Sequence, residues 1–482
     1  MKYLPLAALL LLAVPASAQP VTVPGLGTID FPNSGSDAAQ EPFIRGVLLL
    51  HSFEFGPAAR AFRQAQEADP GFAMAYWGEA MANNYPLWRT KREDDARAVL
   101  ARLAPSPEAR RDKAGTEREA RYLDAVEALF GDGDKRAQDL AYLDAMTTLH
   151  AAFPEDDEAR AFLSLAILGS TNGERDFATY MRAAATAQPV FDRNPDHPGA
   201  AHYLIHSFDD PVHAPLGLPA ADAYAEIAPE AAHAQHMTSH IFVAMGKWER
   251  VVTANIRAMD VQDAMRADSG QPPNACGHYS SWRHYGHLML GQLPDAESLM
   301  DACHEQILSG DSGDWFYFVT MRARHVVDTE DWTLTSRWQA EPPREQTLSN
   351  PSSVYGGPYF TYMVTDALAE LMQQDHSIAE LLHGSDWGDY PGRRLQLKQL
   401  RGLWLIKEGQ TDDGLALLEE AALEDAALPF AFGPPAIVKP GYELLARQLE
   451  RAGRDAGEAW RQAGLHTPGR PLAQPMSTLG SN

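Results

Sequence analysis

Apolar and polar positions fall into three regimes along this chain. Leu4–Val14 is almost continuously apolar, preceded by Lys2 and followed by small residues at Ala16, Ser17 and Ala18. Residues 19–40 are broken by Pro, Gly and Ser and carry no helical period. From Glu41 onward apolar positions recur at the three-to-four-residue spacing of amphipathic helices, and long β-branched alternations are missing. This pattern is interrupted at short intervals by DPG (69–71), FPEDD (153–157), NPDHPG (194–199) and APEA (228–231). An all-α chain of short helices follows, and punctuation this regular calls for a test of internal repeats.

The stretch FGPAARAFRQAQEADPGFAMAYWGEAMA (55–82) pairs two helices, with small residues at Ala58 and Ala65, an aromatic at Phe62, Pro70 in the turn and Tyr76 in the second helix. MGKWERVVTANIRAMD (245–260), LGQLPDAESLM (290–300), EGQTDDGLALLEEAAL (408–423) and AGRDAGEAWRQAG (452–464) carry related turns. In these features the chain resembles the tetratricopeptide repeat family over most of residues 41–464. The resemblance implies an α-solenoid: a right-handed superhelix of antiparallel helix pairs, the first helix of each pair lining a concave groove. Stacking is needed because no single pair buries its own apolar face. A compact helical bundle would not require turns at this period. Flanking the solenoid we expect a signal peptide at 1–18, an extended leader at 19–40 and a C-terminal tail at 465–482.

The histidines follow the same period. Residues 198–231 and 232–265 form two units of 34 residues, which puts His202 in register with His236, His206 with His240 and Phe208 with Phe242. Two His four residues apart share a helix face. If the Phe rings face the core, the His pairs face away from it, and the family resemblance places them on the groove. Helices packed ~8–10 Å apart can then bring four imidazoles together. Aligning LGQLPDAES on MGKWERVVT matches His278 to His233, Ser281 to His236, Tyr285 to His240 and His287 to Phe242. His233, His278 and Tyr285 accordingly belong to the rim of the cluster or its second shell, and His287 to the core. Asp209 and Asp210, one turn beyond His206, can accept a ring N–H or complete a coordination sphere. His51 can line the groove too, but with several turns of solenoid between it and the cluster.

Nine of the seventeen histidines lie between 202 and 287, too lopsided for surface scatter. Close imidazoles repel one another on protonation, whereas a divalent metal ion favours them neutral. His202, His206, His236 and His240 are therefore the expected ligands of a transition metal ion. Cu, Zn and Fe all suit imidazole, and five or more neighbouring His can hold two ions. The H-E-x-x-H signature is absent, because YLI and MTS separate the paired His. No G-x-S-x-G, P-loop or G-x-G-x-x-G occurs. Whether the protein is an enzyme stays open at this point: metal-dependent redox or hydrolytic chemistry, with Tyr285 beside the substrate, is one reading. A metal-free scaffold binding a peptide or protein in the groove is another. A third is metal storage or delivery, with Met237, Met245, Met259 and Met265 as soft ligands.

Charge and cysteine usage narrow the setting. A formal net charge of −25 excludes a nucleic-acid surface. The apolar run at the N-terminus is shorter than the ~20 residues of a membrane span, so an exported mature chain, periplasmic or secreted and without a transmembrane segment, is expected. Cys276 and Cys303 are the two cysteines, and an oxidising compartment permits their pairing. Neither sits in a C-x-x-C motif.

Overall fold

The computed structural model describes residues 20–171, 175–310, 314–343, 357–373 and 390–473. The apolar run Leu4–Val14 lies outside these residues.

Helices dominate, as the periodicity requires. The first half contains α1 (Asp37–His51), α2 (Phe55–Ala68), α3 (Ala73–Met81), α4 (Glu93–Leu103), α5 (Pro107–Arg111), α6 (Glu117–Leu129), α7 (Lys135–Ala152), α8 (Asp157–Gly169) and α9 (Phe177–Arg193). The site-bearing region follows with α10 (Pro198–Phe208), α11 (Ala214–Ile227), α12 (Ala232–Ala244), α13 (Trp248–Asp268), α14 (His278–Met289), α15 (Leu293–Ser309) and α16 (Trp315–Thr329). The chain ends through α17 (Leu334–Arg337), α18 (Pro358–Gln373), α19 (Pro391–Lys407), α20 (Thr411–Ala426), α21 (Gly441–Arg451) and α22 (Gly457–His466). Helix starts carry their own signals: Asp134, Asp156, Asp176 and Asp314 each accept a backbone N–H of the first turn.

Neighbouring helices pack as antiparallel pairs, and alternate helices touch as well: α8 with α10, α10 with α12, α14 with α16, α16 with α18. This is the contact pattern of an α-solenoid, in which each unit buries its apolar face on the next. The small residues of the repeat have a steric purpose. A Cβ at Gly46 or Gly78 would lie 2.8 or 2.2 Å from the ring of Phe62, so both glycines make the slot that lets α1 and α3 close on α2.

Two features bend this simple stack into an enclosed site. First, α1 also contacts α10, which brings the start of the solenoid against its middle. Part of the segment expected as an extended leader reinforces this closure as a hairpin, Val21–Val23 paired with Gly27–Ile29. Thr28 N–H donates to Asp196 O, Glu230 N–H donates to Gly25 O, and Leu26 and Ile29 are fully buried. Val and Thr favour strands, while Gly25 and Gly27, at φ 79° and 107°, supply the turn. Second, residues 428–440 leave α20 and cross to the helices of the middle. Phe432 stacks on Tyr180, Pro435 O accepts from Arg324, and Gly433 sits where a Cβ would be 2.2 Å from Trp282.

Cys276, two residues before α14, is disulfide-bonded to Cys303 of α15, with Cα atoms 4.3 Å apart. Among the described residues, no helix is long and apolar enough to cross a membrane.

Candidate metal centre

The groove-lining histidines come from three successive first helices, α10, α12 and α14. Pro198 at the first position of α10 and the His197 ring, which accepts from Ala200 N–H, start that helix and set its phase. The four-residue spacing then presents His202 and His206 on one face, and α12 repeats the arrangement with His236 and His240.

The four paired imidazoles do not converge on one point. Each pair is instead completed by a third ring from the following helix: His233 of α12 joins His202 and His206, and His278 of α14 joins His236 and His240. Within each triad one ring nitrogen per residue lies within 4.8 Å of the others. His202 Nε2 is 3.1 Å from His206 Nε2, His236 Nε2 is 3.1 Å from His240 Nε2, and His278 Nε2 is 2.9 Å from His236 Nε2. The triads adjoin, with ring centroids of His206 and His240 5.8 Å apart and those of His233 and His236 6.1 Å apart. His233 and His278 are equivalent by register, so the same three-ring motif occurs twice.

The outward nitrogens decide what the inward ones are. His202 Nδ1–H donates to the backbone carbonyl of His51 at 2.7 Å, which can only accept. His240 Nδ1–H donates to the carboxylate of Asp209 at 2.6 Å. His236 Nδ1 meets Asn255 Oδ1 at 2.7 Å, and the amide orientation is fixed because Asn255 Nδ2 donates to Val251 O at 2.8 Å. In all three rings the Nδ1 proton is therefore committed, and the Nε2 lone pair points into the site. His236 and His240 consequently face each other lone pair to lone pair. His233 Nε2 is buried without a hydrogen-bond partner.

Burial disfavours the charged form of five of the rings, His202, His206, His233, His236 and His278. Burial first, and then the charge that neighbouring rings would carry, pull the His202 and His278 imidazoles down to about 3, in His202 against the raising effect of its bond to His51 O. His206, His233 and His236 are pushed well below the ordinary value, again by burial first and by their neighbours second. Neutral imidazole is the metal-binding form.

Aromatic rings close the centre from both ends. Phe53 stacks on His206 and His233 at 6.0 and 5.5 Å and meets His202 edge-on at 4.3 Å. Trp282 lies 4.7 and 4.5 Å from His236 and His240. Phe53 holds a left-handed backbone at φ 56°, as does Arg89 at φ 54°. Among the described non-glycine residues that adopt this conformation, these two border the histidines, and strain of this kind gathers at functional sites. The carboxylate of Glu54, in the turn between α1 and α2, accepts the backbone N–H of His233 at 3.0 Å and so caps the start of α12.

Other expected residues lie differently. Asp210 pairs with Arg175 and His213, away from the triads. Tyr285 is buried with its hydroxyl accepting from Arg470, whose guanidinium also pairs with Asp328 and Glu443. His51 requires a correction: it is not several turns away but in contact with the cluster, because α1 folds against α10. Its ring belongs to a separate buried group with Glu158 and His197. There the His51 Nε2–H donates to Glu158 at 2.8 Å, and Nδ1 lies 2.9 Å from the Tyr203 hydroxyl. His197 Nδ1 is the acceptor for Ala200 N–H, so its Nε2 proton faces the other Glu158 oxygen at 3.2 Å. This group turns N–H donors toward a carboxylate, although His197 Nε2 and Glu158 Oε1 make no hydrogen bond with each other. Asn255, Glu54 and Trp282 carried no sequence signal, since none belongs to a motif and each is assembled only by packing.

A cavity of about 310 Å³ opens beside the triads, reached by His206, His233, His240 and His278. A larger one of about 440 Å³ includes Tyr285, Trp248 and Arg470 but none of the six imidazoles.

No family model matches the chain, and no curated protein matches it either. Among solved structures, the crystal structure of yeast Tom70 is similar at 13% sequence identity, over 91% of this chain and 93% of that one, with a TM-score of 0.30. A likeness of that degree leaves the site to be read from its own residues.

Proposed function

We propose that this protein is a metal-dependent enzyme holding two transition metal ions, one in each histidine triad. One observation carries the reading. The Nε2 atoms of His236 and His240 are 3.1 Å apart, and both rings have spent their only proton on Nδ1. Two buried lone pairs at that distance repel, and a cation between them turns the repulsion into coordination. Three neutral imidazoles per ion suit Cu, Zn or Fe, and their arrangement leaves a position toward the 310 Å³ cavity. Two ions there would supply Lewis-acid or redox chemistry. The chain's own contribution is to fix the tautomers through His51 O, Asn255 and Asp209 and to exclude water with Phe53 and Trp282.

The peptide-scaffold reading is less well supported, because the chain's own segment 428–440 crosses the face where a peptide would lie. We read the protein as exported. The apolar run at Leu4–Val14 and the bond between Cys276 and Cys303 support that setting.

Elemental analysis of protein reconstituted separately with Zn, Cu and Fe tests the proposal. About two equivalents are expected for the wild type, and near none for His202→Ala/His236→Ala. Less than about a tenth of an equivalent with every metal would refute it.

A further inference from the structure

The 310 Å³ cavity has a composition at odds with the chain as a whole. The protein carries 65 acidic and 40 basic residues, yet this cavity is lined by two arginines, Arg89 and Arg324, and by no Asp or Glu. Its remaining walls are largely aromatic, with Trp88, Tyr180, Trp282 and Phe432 among them. Among the described residues Arg89 forms no ion pair with a carboxylate, and its backbone is held in the left-handed conformation at the end of the turn Pro86–Trp88. Arg324 is anchored by a hydrogen bond to Pro435 O and lies over the Tyr285 ring.

The geometry points to a small aromatic carboxylate as the occupant of this cavity. The volume is at the lower end of the range that ligand cavities take, enough for one ring and a short acid side chain. A ring suits the aromatic wall of Trp88, Tyr180, Trp282 and Phe432, meeting the parts of those rings that the chain's own packing leaves toward the cavity. The carboxylate meets the Arg89 fork, with Arg324 adding positive potential. His206, His233, His240 and His278 border the same space, which puts the bound molecule beside both triads. Residues 428–440 supply Phe432 and Pro434 to the wall, so the crossing segment helps to shape the pocket. This inference rests on the metal reading for its role as substrate, but the binding itself needs only the cavity.

Calorimetric titration of the full chain with 3-phenylpropionate and with its neutral amide separates the two. It is run on chelator-treated protein and on protein reloaded with Zn. The acid is expected to bind at least about tenfold more tightly than the amide, as one charge-assisted contact requires. Arg89→Gln should remove that preference, and Arg89→Lys should restore part of it. Thermal melts matching the wild type show that the variants are folded. Equal affinity for acid and amide, no binding of either, or an unchanged preference in Arg89→Gln overturns the inference. Preference for the acid in protein that takes up no metal would instead sustain the pocket while the metal reading fails.

Discussion

The Nδ1–H of His202 donates to the backbone carbonyl of His51 at 2.7 Å, across 151 residues of sequence. Through that bond the first helix of the solenoid orients a ring in its middle. The carbonyl is held in turn because the His51 side chain is fixed to Glu158, whose carboxylate the two histidine N–H groups keep down at about 2 against the effect of its burial.

Replacing Glu158 with Gln tests this chain of support. The amide must direct its NH₂ at one of two N–H donors, leaving buried polar groups unpaired at about 1–3 kcal/mol. The thermal midpoint should fall accordingly. Metal content should drop toward one equivalent, because the first triad loses its orientation while the second keeps Asn255 and Asp209.

Asp209→Asn addresses the other triad. Asp209 accepts from His240 Nδ1 at 2.6 Å, and loss of such an outer partner weakens metal binding about 10–100-fold. Chelator competition should resolve two classes of site in this variant, with only one of them weakened.

Acid should destabilise the metal-free protein. His202 and His278 have folded-state values of about 3, below the ~6.5 of a free imidazole, because burial disfavours their charged form. Between these values the unfolded chain binds more protons than the folded one, so unfolding becomes easier as pH falls. Their contribution is complete above about pH 6.5 and is lost progressively toward about 3. Denaturant midpoints measured from neutral pH downward should decline from that point. Bound metal should delay the decline until protons displace it.

The disulfide links stability to the second triad. It closes a loop of 27 residues between the start of α14 and α15, and its removal should cost about 3–4 kcal/mol by chain entropy. His278 lies two residues beyond Cys276, so Cys276→Ser/Cys303→Ser should also weaken the site formed with His236 and His240. A variant that melts lower but binds both metals with unchanged affinity would show that the bond does not position His278.

How much of the site was legible follows from the contact distances along the chain. Helical spacing and the 34-residue period made the pairs His202/His206 and His236/His240 readable, since both are local regularities. The match of His278 to His233 was readable by the same means. That each of them completes the preceding helix's pair was not, because repeat register says which positions are equivalent and nothing about how far neighbouring helices are rotated. The same limit misplaced His51. A linear count of repeats puts it far from α10, and the closure of α1 on α10 puts it in contact.

The amino-acid sequence by itself determined the helices, their pairing and the face on which the imidazoles lie. These depend on residue spacing over a few turns and on burying one apolar stripe per helix. Only the tertiary structure decided that six rings divide into two triads, that His51 O, Asn255 and Asp209 hold their protons outward, and that residues 428–440 wall the cavity. Those contacts depend on the curvature accumulated over many repeats. Each small inter-helix rotation is set by side-chain packing, and their sum has no local signature.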